Sequence, residues 1–242
     1  MKPIFYLFLA YMIISRISGL VNINVFATGL YLPYSLGVLG YIKNNIDIPE
    51  YKLTGISGGS WISLIYCLEN DLSNHDTIWN YTIQDNDYKI RLNSNLEDYI
   101  ENVSKNLIRR YKNIDNKIIK SLPLSIISTK INKIPKNVKI NKFDNIEDII
   151  EYCVCSSYIP FVSGKNMCKK YKEFYYIDGD IFKNKKNINT PKPTINIHKK
   201  MWGRKFNISN SIYSDYNTSE KLFKYGWEDT EKNIDEIKRL IK

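Results

Sequence analysis

The chain is short of cysteine, histidine and arginine, and it has no long apolar run. No stretch approaches the roughly 20 residues of a membrane-spanning helix, and mean hydropathy is −0.35, so a polytopic membrane protein is excluded. Four cysteines are few for 242 residues. Cys153 and Cys155 share one apolar stretch, with Cys67 and Cys168 elsewhere. A Cys-x-Cys pair with only His75 and His198 in the chain is poor spacing for zinc. The cysteines therefore read as small buried hydrophobes, and neither metal nor cofactor is expected. Arginine is scarce, and the lysines are scattered rather than interleaved with aromatics on one element, so a nucleic-acid reader is not indicated.

What is present is an ordinary globular composition, 43% hydrophobic and 25% charged, which excludes disorder and fibrous architectures. The formal charge is +10. Lys, Asn, Ile and Tyr dominate, as AT-rich codons would produce, and this accounts for part of the basicity. The lysines are densest from Lys165 to Lys205. That density predicts a basic face and an anionic membrane surface as partner, hence a membrane-associated protein. At the N-terminus, Lys2 precedes an apolar run from Ile4 to Ile14 and then Ser15-Arg16-Ile17-Ser18-Gly19. Residues 1–20 read either as a secretory signal or as a membrane-associating helix, which leaves secretory pathway and cytoplasm both open.

From residue 21 the pattern alternates between strands and helices. Val21 to Ala27 predicts a strand, and a helix follows Gly29. Lys52 to Ile56 predicts a buried strand, and Ser60 to Glu69 a helix with Trp61, Leu64, Ile65 and Leu68 on one face. A polar insert with helical pieces spans about residues 71–121. Strands are predicted at Leu124 to Thr129, Val138 to Ile140, Phe174 to Ile177 and Thr194 to Ile197, with a helix over Ile146 to Cys155. Ser219 to Ile241 reads as a charged helix broken at Gly226. This alternation implies one α/β domain over residues 21–242, with a mainly parallel central sheet and helices on both faces.

Gly55-Ile56-Ser57-Gly58-Gly59 is the most informative segment. Gly-x-Ser-x-Gly between a strand and a helix is a nucleophile elbow, which presents the serine at a helix N-terminus. No Lys-Ser/Thr pair follows, so it is not a P-loop. Ser57 needs a base. His75, in Ser73-Asn74-His75-Asp76, reads as a solvated loop residue. His198 ends a predicted strand, and the order Ser57, Asp178, His198 is that of an α/β-hydrolase triad. That fold, however, places more strands before the elbow.

The elbow on the second strand, with Asp178-Gly179-Asp180 far downstream, resembles the patatin-like phospholipases. Further stretches carry the likeness: Cys155-Ser156-Ser157-Tyr158-Ile159-Pro160, Tyr176-Ile177-Asp178-Gly179 followed by Asn184, and Leu222-Phe223-Lys224-Tyr225-Gly226-Trp227-Glu228-Asp229. The resemblance implies a three-layer α/β fold and a Ser57–Asp178 dyad that works without histidine. It also implies an oxyanion hole at Thr28, Gly29 and Leu30, and an acyl lipid, a phospholipid above all, as substrate. Both dyad residues end strands read as members of one parallel sheet, so they should meet at its carboxyl edge. Two positions depart from the family pattern. The first loop, Ala27-Thr28-Gly29-Leu30-Tyr31-Leu32, keeps only Gly29, and Asp180 stands where the family has Gly or Ala. These departures define a second reading, a weakened or inactive lipid-binding protein on the same fold. The triad esterase is the third.

Overall fold

The computed structural model describes residues 19–92, 94–182, 194–207 and 212–241. The apolar segment at residues 1–18 and Asn184 lie outside the described residues. Strand β1 (Val21–Val25) is buried at every position, and a 3-10 turn (Gly29–Tyr31) leads into α1 (Leu32–Asn45), which has proline in its first turn. Strand β2 (Tyr51–Ile56) turns at Ser57 into α2 (Gly58–Leu68), which is apolar and largely buried. The insert folds as α3 (His75–Thr82), the short β3 (Ile90–Arg91), α4 (Leu96–Tyr111) and α5 (Asn116–Ser121). Next come β4 (Leu124–Ile131), β5 (Lys136–Ile140), α6 (Ile146–Ser156), β6 (Lys169–Tyr171) and β7 (Phe174–Ile177). The described chain closes with β8 (Thr194–Ile197), β9 (Tyr213–Ser214), α7 (Tyr216–Lys232) and α8 (Ile234–Leu240). Side-chain caps start several helices: Asn74 for α3, Asp115 for α5, Asn145 for α6 and Asp215 for α7 each accept from a first-turn amide.

The architecture is α/β, with a mostly parallel seven-stranded sheet flanked by helices. Strands β8, β1, β2 and β4 are parallel neighbours. At one end β5 and β7 run antiparallel to β4, and β6 antiparallel to β7. The strand that carries Asp178 is therefore not part of the parallel block, contrary to the sequence reading.

The register explains how it still reaches Ser57. Ile126 and Ile127 of β4 pair with both β2 and β5, so those two strands lie on opposite edges of β4. Thr129 pairs with both β5 and β7, so β7 shares the β2 edge. Strand β2 stops at Ile56, opposite Ile127, and β7 arrives from the other direction and stops at Ile177, opposite Thr129. Two carboxyl ends thus meet head-on, one residue of β4 apart. A short ribbon, β3 with β9, ties the insert to the segment before α7.

The final helix is not broken at Gly226. Helix α7 runs through that position, and the interruption falls at Asn233. Gly226 serves a close approach instead: a Cβ there would stand 2.0 Å from the Tyr34 carbonyl oxygen of α1. Gly37 does the same from the α1 side, 2.1 Å from the Phe223 carbonyl oxygen. The two helix backbones are in contact.

Candidate active site

Ser57 sits at the tip of the β2–α2 turn with φ 55 and ψ −131. A non-glycine residue adopts such a conformation only where its surroundings enforce it. The enforcement is steric. A Cβ at Gly59 would lie 2.2 Å from the Val25 carbonyl oxygen, and one at Gly55 would lie 2.5 Å from the Ser60 Cα. Strand β1, strand β2 and helix α2 are pressed together, and the serine is extruded at the apex. Its amide donates to Ser156 Oγ at 2.8 Å, and that hydroxyl donates to the Ile127 carbonyl at 2.6 Å. The end of α6 therefore holds the elbow.

Ser57 Oγ donates to Asp178 Oδ2 at 2.5 Å. The other carboxylate oxygen, Oδ1, accepts from the Asp180 amide at 2.7 Å. The Asp178 backbone is fixed on all sides. Its amide donates to the Tyr158 carbonyl at 2.8 Å, and its carbonyl accepts from Thr129 Oγ1 at 3.0 Å. The Gly179 amide donates to the Ser156 carbonyl at 2.9 Å, and the Gly179 carbonyl accepts from Asn137 Nδ2 at 2.8 Å. Gly179 is needed because a Cβ there would stand 2.2 Å from the Ile127 carbonyl oxygen.

Asp178 is only 4% exposed, and this burial pushes its carboxyl up to about 6. The bonds from Ser57 and from the Asp180 amide oppose the rise, and the nearby Asp180 charge adds slightly to it. Asp180 thus caps the turn with its amide while its own carboxylate weakly favours the protonated base.

The Thr28–Leu30 turn lies against the elbow. A Cβ built on Gly58 would stand 3.4 Å from Thr28 Oγ1 and 3.6 Å from the Gly29 carbonyl oxygen. Gly29 has φ 54, so the one glycine kept in this loop occupies the position that needs it. The Tyr31 amide is used within the turn, donating to the Thr28 carbonyl at 3.0 Å.

Neither histidine hydrogen-bonds to Ser57 or to Asp178. His198 follows β8, two strands from the elbow strand, and its Nδ1 accepts from the Lys200 amide at 3.3 Å. His75 is not a solvated loop residue. It opens α3, is buried, and pairs through Nε2 with Ser219 Oγ of α7 at 2.8 Å. Trp79, Tyr216 and Phe223 surround its ring, and burial lowers its pKa. An apolar face built by distant elements enclosed it, and nothing local in the sequence signals that.

From Ser57 an apolar cavity of about 120 Å³ runs beneath the insert. Gly29, Leu30, Ser57 and Gly58 line it on the elbow side. Its other walls include Trp61 and Ile65 of α2, Ile78 of α3, Ile100 and Val103 of α4, and Ile159. It far exceeds the space one water needs, and its walls offer few polar partners to hold a water chain. Ser156, Ser157 and Trp61 are functional neighbours that sequence reasoning did not assign. Trp61 Nε1 donates to Ser157 Oγ at 3.0 Å, which joins α2 to the end of α6 beside the serine. Their one signal was the Ser156-Ser157 pair in the stretch of family likeness. Among the described residues no three His, Cys, Asp or Glu side chains gather to hold a metal. No helix among them is long and apolar enough to cross a membrane. No protein-family model matches the chain, and no curated protein is found similar to it.

Proposed function

We propose that the protein is a serine lipid acyl hydrolase of patatin-like design, acting on phospholipid or a related acyl ester at a membrane. The observation that carries this reading is the Ser57–Asp178 hydrogen bond at one end of an apolar cavity. Ser57 Oγ attacks the ester carbonyl carbon as Asp178 Oδ2 takes the hydroxyl proton. A carboxylate raised to about 6 is a better base than an ordinary one and still largely ionised at neutral pH. The negative charge on the tetrahedral carbonyl oxygen is held by the first amides of α2, at Gly58, and by amides of the Thr28–Leu30 turn. Collapse breaks the ester C–O bond, and the leaving alcohol takes the proton from Asp178. Water then attacks acyl-Ser57, giving its proton to Asp178; the acyl C–Oγ bond breaks, Asp178 returns that proton to Ser57 Oγ, and the fatty acid leaves. The acyl chain occupies the apolar cavity throughout.

Ser57→Ala and Asp178→Asn should each abolish ester hydrolysis while the fold survives, because members of one catalytic unit fail together. His198→Ala should keep most activity. A fluorophosphonate probe should label Ser57 alone. Wild-type turnover in Asp178→Asn would overturn the dyad, and a loss of orders of magnitude in His198→Ala would install a triad. Lipid binding without labelling or turnover would instead identify a non-catalytic lipid-binding protein.

A further inference from the structure

Eleven large hydrophobic side chains are exposed among the described residues, and seven of them fall between residues 134 and 182. The other four are single residues in separate parts of the chain: Leu20, Ile118, Ile212 and Leu240. The seven belong to the antiparallel end of the sheet and the loops beside it. Ile134, 78% exposed, is at the β4–β5 turn, and Phe174 and Tyr175 begin β7. Phe161 and Met167, at 69% and 66%, stand on the loop from α6 to β6. Ile181 and Phe182 follow the Asp178 turn, with the Ile181 amide donating to the Asp178 carbonyl at 3.4 Å.

The same end is rich in lysine. Lys130 holds its ammonium 3.0 Å from the Phe174 ring centre, and Lys170 lies 5.9 Å from that of Tyr175. Lys133 and Lys136 flank Ile134, and Lys165 stands between Phe161 and Met167, all exposed. Acids stand there too: Glu173 and Asp144 are exposed, Asp144 pairs with Lys172 at 3.2 Å, and Glu151 pairs with Lys169 at 3.1 Å. Phe161 is held at φ 62, a left-handed conformation that a bulky residue adopts only under constraint. Loop bonds maintain it: the Phe161 amide donates to the Asn166 carbonyl at 3.4 Å, and Tyr158 Oη donates to the same oxygen at 2.9 Å.

We infer that this end of the molecule is a bilayer-docking surface, in which aromatic and aliphatic side chains enter the interface and lysines meet anionic headgroups. Phe174 with Lys130 and Tyr175 with Lys170 project from opposite faces of the β7 tip, and an exposed aromatic beside a lysine suits that boundary, where one part of the side chain is apolar and the other wet. The surface is joined to the candidate site along the chain. Ile159 lines the cavity two residues before Phe161, and Asp178 precedes Ile181 by three. This inference rests on the acyl-hydrolase reading only for its purpose, since docking is measurable without catalysis.

The test is co-sedimentation of the Ser57→Ala protein with vesicles of phosphatidylcholine, alone or mixed with phosphatidylserine. Binding should be stronger to the mixed vesicles. Phe161→Ser with Phe174→Ser should weaken it by roughly tenfold or more. Lys133→Glu with Lys165→Glu should remove the preference for anionic lipid. Placed in the wild-type chain, the same pairs should leave hydrolysis of a soluble butyryl ester unchanged, which checks the fold. Vesicle binding untouched by both pairs would overturn the docking surface and leave the hydrolase reading standing. Self-association broken by the Phe pair, without vesicle binding, would overturn it in favour of a second copy of this chain. Vesicle binding lost in the Phe pair, in a protein whose wild type cleaves no ester, would uphold the surface and remove the hydrolase.

Discussion

Ser57 and Asp178 form a hydrogen-bonded pair whose electrostatics are set by burial. Burial raises the Asp178 carboxyl from 3.8 to about 6, and two hydrogen bonds keep it from rising further. The folded state therefore binds this proton more tightly than the unfolded chain does. Below pH 3.8 the group is neutral in both states and costs nothing. As pH climbs through the interval to about 6 the buried charge becomes a penalty, complete above it and equivalent to about 3 kcal/mol. Asp178→Asn should consequently be more stable than wild type at pH 8, by roughly 5 °C or more in melting temperature, and scarcely different near pH 3.5. Thermal melts at the two pH values check this, and equal shifts at both would remove the linkage. On the proposed hydrolase reading, wild-type kcat/KM should fall about tenfold per unit as pH drops below about 6, because the protonated carboxyl cannot accept from Ser57.

At the scale of elements, the site is a junction of strand ends. Strand β2 and strand β7 share one edge of β4 and point at each other, and the end of α6 supports the gap through Ser156 and Ser157. Ser128, the β4 residue between the two paired positions, shares its one hydroxyl proton between the Cys155 and Ile177 carbonyls, 3.0 and 3.1 Å from Oγ. The α1–α7 contact follows a different rule, in which glycines admit a neighbouring backbone. By helix propensity alone, Gly226→Ala should stabilise α7 by up to about 1 kcal/mol. Because a Cβ there would stand 2.0 Å from the Tyr34 carbonyl oxygen, the expected outcome has the opposite sign, a destabilisation of roughly 1–3 kcal/mol. Urea denaturation decides between them, and a stabilised variant would show that the helices are not in backbone contact.

Across the whole molecule, the insert covers the sheet end beside Ser57 and leaves an apolar, partly open cavity beneath it. Helices α3 and α4 close over the elbow, α7 locks α3 through the His75–Ser219 bond, and the β3–β9 ribbon joins the two regions. On the proposed hydrolase reading, the cavity should select acyl chain length through its walls on α3 and α4. Ile100→Trp, on the α4 wall, should lower kcat/KM for a decanoyl ester by roughly tenfold or more and leave a butyryl ester nearly unaffected. Equal losses on both esters would mean that the chain does not run toward α4.

Much of this was legible in the residues because the signals are local. The elbow needs glycines where strand and helix collide, so Gly55-Ile56-Ser57-Gly58-Gly59 declares its own turn. Asp178-Gly179 marks a strand end because Gly179 meets the Ile127 carbonyl. The strand at Phe174 to Ile177 is equally plain, and Cys153 and Cys155 are buried as expected, whereas Cys67 and Cys168 are only partly buried. The antiparallel direction of β7 was not legible, since alternation and β-propensity are the same for either direction. Gly226 was misread because a lone glycine in a helix weakens it in isolation, and only the packed partner reveals a close approach. His75 looked solvated because its neighbours in sequence are polar, whereas Trp79, Tyr216 and Phe223 enclose it in space. Local sterics and hydrogen-bonding capacity are written residue by residue. Strand direction, helix contact and enclosure are set by the burial of surfaces far apart in the chain, and these only the tertiary structure decided.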